Sequence, residues 1–237
     1  RAVPTERGRS LEAVPPGSTV VEFGSRFGDF ASLVARRNPN VQVQPTEGTG
    51  QTPGIFLMLQ ERVLKHNEEL ARLFGEDGPR LLQPRYMDGS KLEGWTEELK
   101  IPSVSCVFAV NVLQFVHFDC VKAVLQGCRK VLRPGGFLFL AGPFFNEGEI
   151  SDASLRTHAG LETWAKEAGR RYPDRTLTWG LHDLQNIRRS AQFLGFEVVE
   201  QSTVGADWSI MVLQWPLARR RSRLLSRPPD AYLARAR

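Results

Sequence analysis

Val20-Val21-Glu22-Phe23-Gly24-Ser25-Arg26-Phe27-Gly28 decides the fold of this chain. It reads as an apolar strand, a turn carrying two glycines, and the start of a helix with the apolar stripe Phe27, Phe30, Ala31, Leu33 and Val34. A strand that ends in a glycine turn and re-enters as a helix brings backbone N–H groups close to a nucleotide-like ligand. Arg26 breaks that design. Glycine at such a position avoids both a Cβ against the ligand and the penalty of a left-handed backbone, and Arg26 adds a Cβ, a long stem and a permanent charge.

The rest of the sequence extends the strand–helix pattern. Thr19 to Phe23 is predicted as the first strand, Phe27 to Arg37 as a helix closed by Asn38-Pro39, and Val41 to Gln44 as a second strand ending at Pro45. After a loop from Thr46 to Gly54, a long helix runs from Ile55 to Phe74. Leu81 to Met87 is a third strand, irregular or at an edge because of Pro84. A short helix follows over Leu92 to Leu99, then Val104 to Val112, a strand buried on both faces. Asp119 is expected to cap a helix reaching Leu132, before an Arg133-Pro134-Gly135-Gly136 turn and a strand over Phe137 to Ala141. Residues 143–182 read as an insertion holding one helix, Leu155 to Ala168. Asp183 to Leu194 is the last helix, with Asp183 as its cap, and Glu197 to Thr203 and Trp208 to Trp215 pair antiparallel. Alternation of this kind builds a parallel sheet with right-handed crossovers. The expected fold class is α/β: a Rossmann-like, seven-stranded, mostly parallel sheet with flanking helices and an antiparallel edge strand. The expected organisation is a lead-in over 1–18, a domain over 19–215 and a basic tail over 216–237.

Composition narrows the class. Of the 237 residues 41% are hydrophobic and 24% charged, as in an ordinary soluble globular protein, and no apolar run is long enough to span a membrane. Cys106, Cys120 and Cys128 have no metal-ligand spacing and read as buried small hydrophobes in a reducing compartment; no metal is expected. The net charge of +5 is uneven. Pro216 to Arg237 holds seven arginines against Asp230, a net +6, which leaves the rest near −1. Such a tail suits an acidic protein face, RNA or an anionic lipid surface. The chain begins at Arg1. A processed organellar precursor fits that start, which points to the mitochondrial matrix, with the cytoplasm as the alternative.

Four matches in order along the chain, the opening stretch among them, carry a family resemblance. Glu22-Phe23-Gly24-Ser25 with Gly28 resembles the first motif of class I S-adenosylmethionine (SAM) methyltransferases. Val43-Gln44-Pro45-Thr46-Glu47, Leu140-Ala141-Gly142-Pro143-Phe144 with Asn146 and Gly148, and Trp179-Gly180-Leu181-His182-Asp183 resemble segments of the methyltransferase-like protein 26 family. Leu132-Arg133-Pro134-Gly135-Gly136 is similar to a turn widespread among methyltransferases. The resemblance spans about residues 5–215 and implies SAM as cofactor, if the site functions with Arg26 in it. Gly24, Ser25 and Gly28 would line the turn under the methionine and ribose portions, with Glu22 organising that turn through backbone N–H groups. Glu47 would accept the ribose hydroxyls, Asp88 would stand near the adenine, and Asn111 would meet the amino-acid portion or a substrate amine. His117, His158 and His182 are candidate bases, with no catalytic residue assigned.

The departures fall where a ligand would sit. Arg26 replaces a glycine, Gln114 stands in place of a histidine, and Gly205-Ala206-Asp207-Trp208 replaces Pro-Ala-Asn-Asn. The insertion between Ser151 and Trp179 is longer than the family pattern. They point to a non-catalytic subunit that keeps the fold within a larger assembly of protein subunits, such as a mitochondrial one. The alternative is an active SAM-dependent methyltransferase acting on a small molecule or protein.

Overall fold

The computed structural model describes residues 15–48, 54–89, 95, 104–145, 151–171, 180–204 and 208–217, with backbone alone for 168–171. The elements are β1 (Thr19–Glu22), α1 (Asp29–Arg37), β2 (Gln42–Glu47), α2 (Gly54–Phe74), β3 (Arg85–Tyr86), β4 (Val104–Val110), α3 (Phe118–Val131), β5 (Leu132–Pro143), α4 (Asp152–Arg171), α5 (Leu184–Phe193), β6 (Glu197–Val204) and β7 (Trp208–Gln214). A 3-10 turn, Leu113–Phe115, links β4 to α3. The sheet has seven strands in the order β3-β2-β1-β4-β5-β7-β6. Pairings from β3 through β5 are parallel, and β7 runs antiparallel to both β5 and β6. The expected α/β sheet with an antiparallel edge is therefore present.

Strand alternation sorts the core into two layers. Val20, Val43, Cys106 and Phe108 pack with Ala31 and Val34 of α1 and Leu59, Val63 and Leu70 of α2. Val21, Val107 and Ala109 point the other way, toward Val121, Val124 and Leu125 of α3 and Leu184, Ile187 and Ala191 of α5. Both faces of the central strands are covered, which is why they read as continuous apolar runs. Trp95 is fully buried in the second layer and stacks on Phe23 at 5.7 Å between ring centroids.

Several boundaries differ from the sequence expectation, each for a local reason. β2 runs through Pro45 to Glu47 instead of stopping at Gln44. Pro45 stays paired with Glu22 of β1, and on its other side, one step before the Thr46–Arg85 pair, Pro84 also has no N–H to give, so the ladder is interrupted there. The Gln44 side chain closes the gap, its Nε2 donating to the Pro45 and Gln83 carbonyls at 2.9 and 2.8 Å. The third strand shrinks accordingly to Arg85–Tyr86, with a single bridge from Val43 to Leu81. The Arg133–Gly136 turn is absorbed into β5 as a bulge: Val104 pairs with Leu132 and Cys106 with Phe137, and Gly135 supplies a φ of 81°. His117, not Asp119, caps α3, its Nδ1 accepting the Asp119 N–H at 3.3 Å. Asp119 lies in the first turn, where a negative charge favours the helix dipole. Cys120 is half-buried because it lies off the apolar stripe of α3, whereas Cys106 and Cys128 are buried. Trp95 and Trp215 are core, while Trp164 and Trp208 are exposed. The helix in the insertion runs from Asp152 to Arg171, longer than expected; Ser151 Oγ accepts the Ser154 N–H at 3.0 Å at its start. The lead-in to residue 14, the helix expected at Leu92 to Leu99 apart from Trp95, Trp179, Asn146, Gly148, Gly205-Ala206-Asp207 and the tail from 218 lie outside the described residues. Among the described residues no helix is long and apolar enough to cross a membrane.

Gly127 of α3 is set by packing: a Cβ there would fall 2.2 Å from Trp95 Cδ2. Gly127→Ala should destabilise the fold by about 1–3 kcal/mol, the cost of an overpacked core. Gly160→Ala, in open space on α4, should be neutral or slightly stabilising, by about 0.5–1 kcal/mol. Thermal unfolding of both variants checks the contrast; equal melting temperatures would contradict the Trp95 packing.

Candidate functional site

β1 and β4 lie side by side at the point where the strand order reverses, the place where open α/β sheets hold ligands beyond the carboxyl ends of their strands. The loops leaving these two strands are in contact. A Cβ on Gly24, which has φ 72°, would fall 2.3 Å from Val112 Cγ2, so glycine is required for the loops to meet. Asn111, at the end of β4, has φ 53° and donates its N–H to the Ala141 carbonyl at 2.7 Å.

The turn after β1 is stitched to the end of β2. The Ser25 N–H donates to the Thr46 carbonyl at 2.8 Å, and the Thr46 N–H returns to Ser25 Oγ at 3.1 Å. Thr46 Oγ1 donates to the Glu22 carbonyl at 2.6 Å. The Gly28 N–H reaches the Ser25 carbonyl at 2.8 Å, with Gly28 at φ 75°. Arg26 sits inside this turn at φ 48°, the left-handed conformation that glycine normally supplies. That conformation costs an L-residue about 1–2 kcal/mol. Its N–H donates to Glu47 Oε2 at 2.7 Å, and a hydrogen bond to a carboxylate contributes about 1.5–3 kcal/mol. The bond offsets the strain. The backbone argument against an arginine here therefore fails: Arg26 keeps the turn a glycine would make.

Two buried carboxyl groups stand behind the turn, and they differ. Glu47 accepts the Arg26 N–H on one oxygen and the Gly48 N–H on the other at 3.1 Å. Burial raises its pKa, and these two donors and the Arg26 charge pull it back. Glu22 is 4% exposed, and burial pushes its carboxyl up to about 8, against the pull of the Ser25 hydroxyl and the Ala31 N–H. Ala31 is in the first turn of α1, whose cap Gly28 has no side chain, so Glu22 caps that helix from the strand below. The backbone N–H that Glu22 meets is thus that of Ala31, in the first turn of α1. Glu22 Oε2 has no hydrogen-bond partner among the described residues, which suits a protonated oxygen.

The remaining predicted residues divide. Arg26 has an exposed side chain whose guanidinium lies over the Phe27 and Phe115 rings at 5.9 and 5.7 Å, spanning from the β1 loop to the turn after β4. Contacts of this type at exposed sites are worth about 0.5–1 kcal/mol. Asp88 is half-buried beyond β3; Gly48 backs onto the Met87 carbonyl, so the ends of β2 and β3 adjoin. Gln114 Nε2 donates to Asn111 Oδ1, and the Gln114 carbonyl accepts the Gly180 N–H at 2.9 Å. The structure thus brings Glu22, Gly24, Ser25, Gly28, Glu47, Asp88 and Asn111 to one end of the sheet. The three histidines hold the scaffold. His117 caps α3. His158 Nδ1 accepts the Leu181 N–H at 2.9 Å. His182 Nε2 lies 2.9 Å from both the Leu113 and Val116 carbonyls, which can accept only, so it carries the proton. Burial lowers the pKa of His182, which keeps the ring neutral. Among the described residues no three His, Cys, Asp or Glu side chains gather to hold a metal.

Residues 10–214 match the model of a protein family of unknown function, DUF938. The chain belongs to the DUF938 family. Solved structures similar to this DUF938 chain are methyltransferase folds. An O-methyltransferase family protein from Burkholderia thailandensis matches with TM-score 0.61 and 14% identity, over 85% of this chain and 52% of its own. The S-adenosylmethionine-dependent methyltransferase SibL matches with TM-score 0.56 and 16% identity, over 87% and 53%. This chain spans about half the length of each. A Haloferax volcanii complex between the Trm112 methyltransferase activator and a putative methyltransferase matches with TM-score 0.55 and 15% identity, over 86% and 85%.

Thr46 and Phe115 were not picked out as site residues. Thr46 carried a signal, since it lies within the quoted Gln-Pro-Thr-Glu stretch. Phe115 carried none, since its role depends on where the Arg26 side chain comes to rest.

The Glu22 shift gives the DUF938 chain a signed pH dependence. Between its ordinary value near 4.5 and about 8, the folded chain keeps a proton that the unfolded chain releases. Stability contributed by this group is therefore lost as pH rises through that window. Glu22→Gln cannot ionise, so its melting temperature should gain on the wild type from pH 5 to about pH 8 and level off above that. A difference that stays flat with pH would contradict a protonated Glu22.

Proposed function

We propose that this DUF938 chain binds S-adenosylmethionine in the cleft above β1, β2 and β4 and acts as a methyltransferase on a small molecule or protein, of the methyltransferase-like protein 26 type. The observation that carries the reading is the φ of 48° at Arg26, which leaves the glycine turn intact despite the substitution. The residues fit the group. Each Glu47 oxygen accepts one backbone N–H and, as a carboxylate oxygen, has capacity for a hydroxyl donor as well. Asp88 extends the same end of the cleft, and Asn111 closes the other. A Glu22 held neutral adds no charge behind the turn.

When bound, SAM supplies an activated methyl group for in-line transfer, a reaction that depends mainly on alignment. The chain's part is then to orient: Glu47 fixes the ribose, the Gly24–Gly28 turn sets the depth, and Asn111 with Gln114 forms the wall beside the acceptor. Commitment of His117, His158 and His182 to the scaffold favours an acceptor that needs no histidine base. The same commitment also supports the second reading, a fold retained without catalysis in a larger assembly, such as a mitochondrial one, with the basic tail meeting acidic protein, RNA or anionic lipid.

Calorimetric titration of the full chain with SAM and with S-adenosylhomocysteine tests the binding. Glu47→Gln keeps one acceptor for the Arg26 N–H and replaces the other with a donor. It should weaken binding at least about tenfold, the equivalent of one lost hydrogen bond of about 1.4 kcal/mol. No heat at high micromolar protein would remove the cofactor reading. Binding without methyl transfer to any protein or small-molecule extract would favour the second.

A further inference from the structure

The carboxyl end of the sheet is polarised, and its two sides carry opposite chemistry. At the β2–β3 end stand the carboxyl groups of Glu47 and Asp88, which accept hydrogen bonds. At the β4 end lies the Arg26 guanidinium, a permanent cation. It rests on the faces of Phe27 and Phe115 and forms no ion pair among the described residues. Its charge is felt at Glu47, yet Glu47 engages the Arg26 backbone N–H. The result is an exposed residue fixed at its backbone, holding five N–H donors over ring faces that accept weakly. A ring face is a poorer partner for a guanidinium than a carboxylate, which takes two parallel hydrogen bonds.

We propose that Arg26 is a mobile anion-binding arm that leaves the Phe27 and Phe115 rings to take the carboxylate at the amino-acid end of an S-adenosyl ligand. The inference rests on the cofactor reading above and adds to it the residue that recognises one end of the ligand. It is particular to this chain, because the arm occupies a turn position that glycine would leave without a side chain. The ligand that complements the cleft has hydroxyl donors at one end and an anion at the other. A nucleoside without the amino-acid portion satisfies the first end only. The arm starts from a left-handed residue of the β1 turn, at φ 48°, and ends on the side of the β4 loop, with its guanidinium over Phe115.

The test compares S-adenosylhomocysteine with 5′-methylthioadenosine, which lacks the carboxylate, by calorimetry on wild type, Arg26→Gly and Arg26→Lys. Glycine accepts the φ of this position without strain, so Arg26→Gly removes the arm and spares the turn; equal or higher melting temperature than wild type verifies this. Wild type should bind S-adenosylhomocysteine at least tenfold more tightly than methylthioadenosine. Arg26→Gly should erase most of that preference while binding methylthioadenosine within twofold of wild type. Arg26→Lys, a point charge without the fork, should fall between. Unchanged or tighter binding of S-adenosylhomocysteine by Arg26→Gly overturns the proposal and makes the arginine a plug. If wild type and Arg26→Gly bind neither compound, the cofactor reading fails and the arm fails with it. If both proteins bind both compounds equally, the arm alone is wrong.

Discussion

The hydrogen bond from the Arg26 N–H to the Glu47 carboxylate holds the site together. It ties the turn after β1 to the last residue of β2 and fixes a non-glycine residue in a left-handed conformation. The exchange between Ser25 and Thr46 closes the same seam from below. Without these bonds Arg26 would relax toward ordinary φ values, Gly28 would shift, and α1 would lose the geometry by which Glu22 caps its first turn. Strand, turn and helix are thus one mechanical unit whose weakest point is relieved by one buried carboxylate.

The unit separates two roles that a sequence motif merges. Glu22 serves the scaffold: buried, pushed toward neutrality and committed to α1. Glu47 serves the cleft, with its oxygens at the edge of the turn. The candidate bases His117, His158 and His182 follow the same division, each being engaged with backbone groups of loops or helix starts. Among the described residues, carboxyl groups that can accept hydroxyl donors stand at one end of the site and a guanidinium at the other. Such an arrangement suits binding and orienting a ligand.

Much of the fold was legible because apolar periodicity is local. Val104 to Val110 and Phe137 to Ala141 could hardly be other than buried strands, and Asp183 announces its helix. The misread strand ends involved partners distant in sequence. Pro45 ends a strand by local rules, yet here it faces another proline across the gap, and the Gln44 side chain supplies the missing closure. Asp119 is a good cap by composition, but the helix starts earlier, at Phe118, and His117 takes the cap position by accepting the Asp119 N–H. For the site, the positions of Glu22, Gly24, Ser25, Gly28, Glu47, Asp88 and Asn111 followed from the strand ends. The conformation of Arg26 did not, because it is decided by a hydrogen bond to a residue 21 positions away. Nor did its resting place on Phe115, which depends on the contact between two loops brought together by the crossover topology.

A crystal structure of the chain with S-adenosylhomocysteine tests this account most directly. It predicts the nucleoside above β1 and β2, its ribose hydroxyls on Glu47, Arg26 still at positive φ with its N–H on Glu47, and the guanidinium moved from Phe115 to the ligand carboxylate. A cleft still closed by Arg26 on Phe115 in crystals soaked to saturation, or a turn with Arg26 at negative φ, would contradict it.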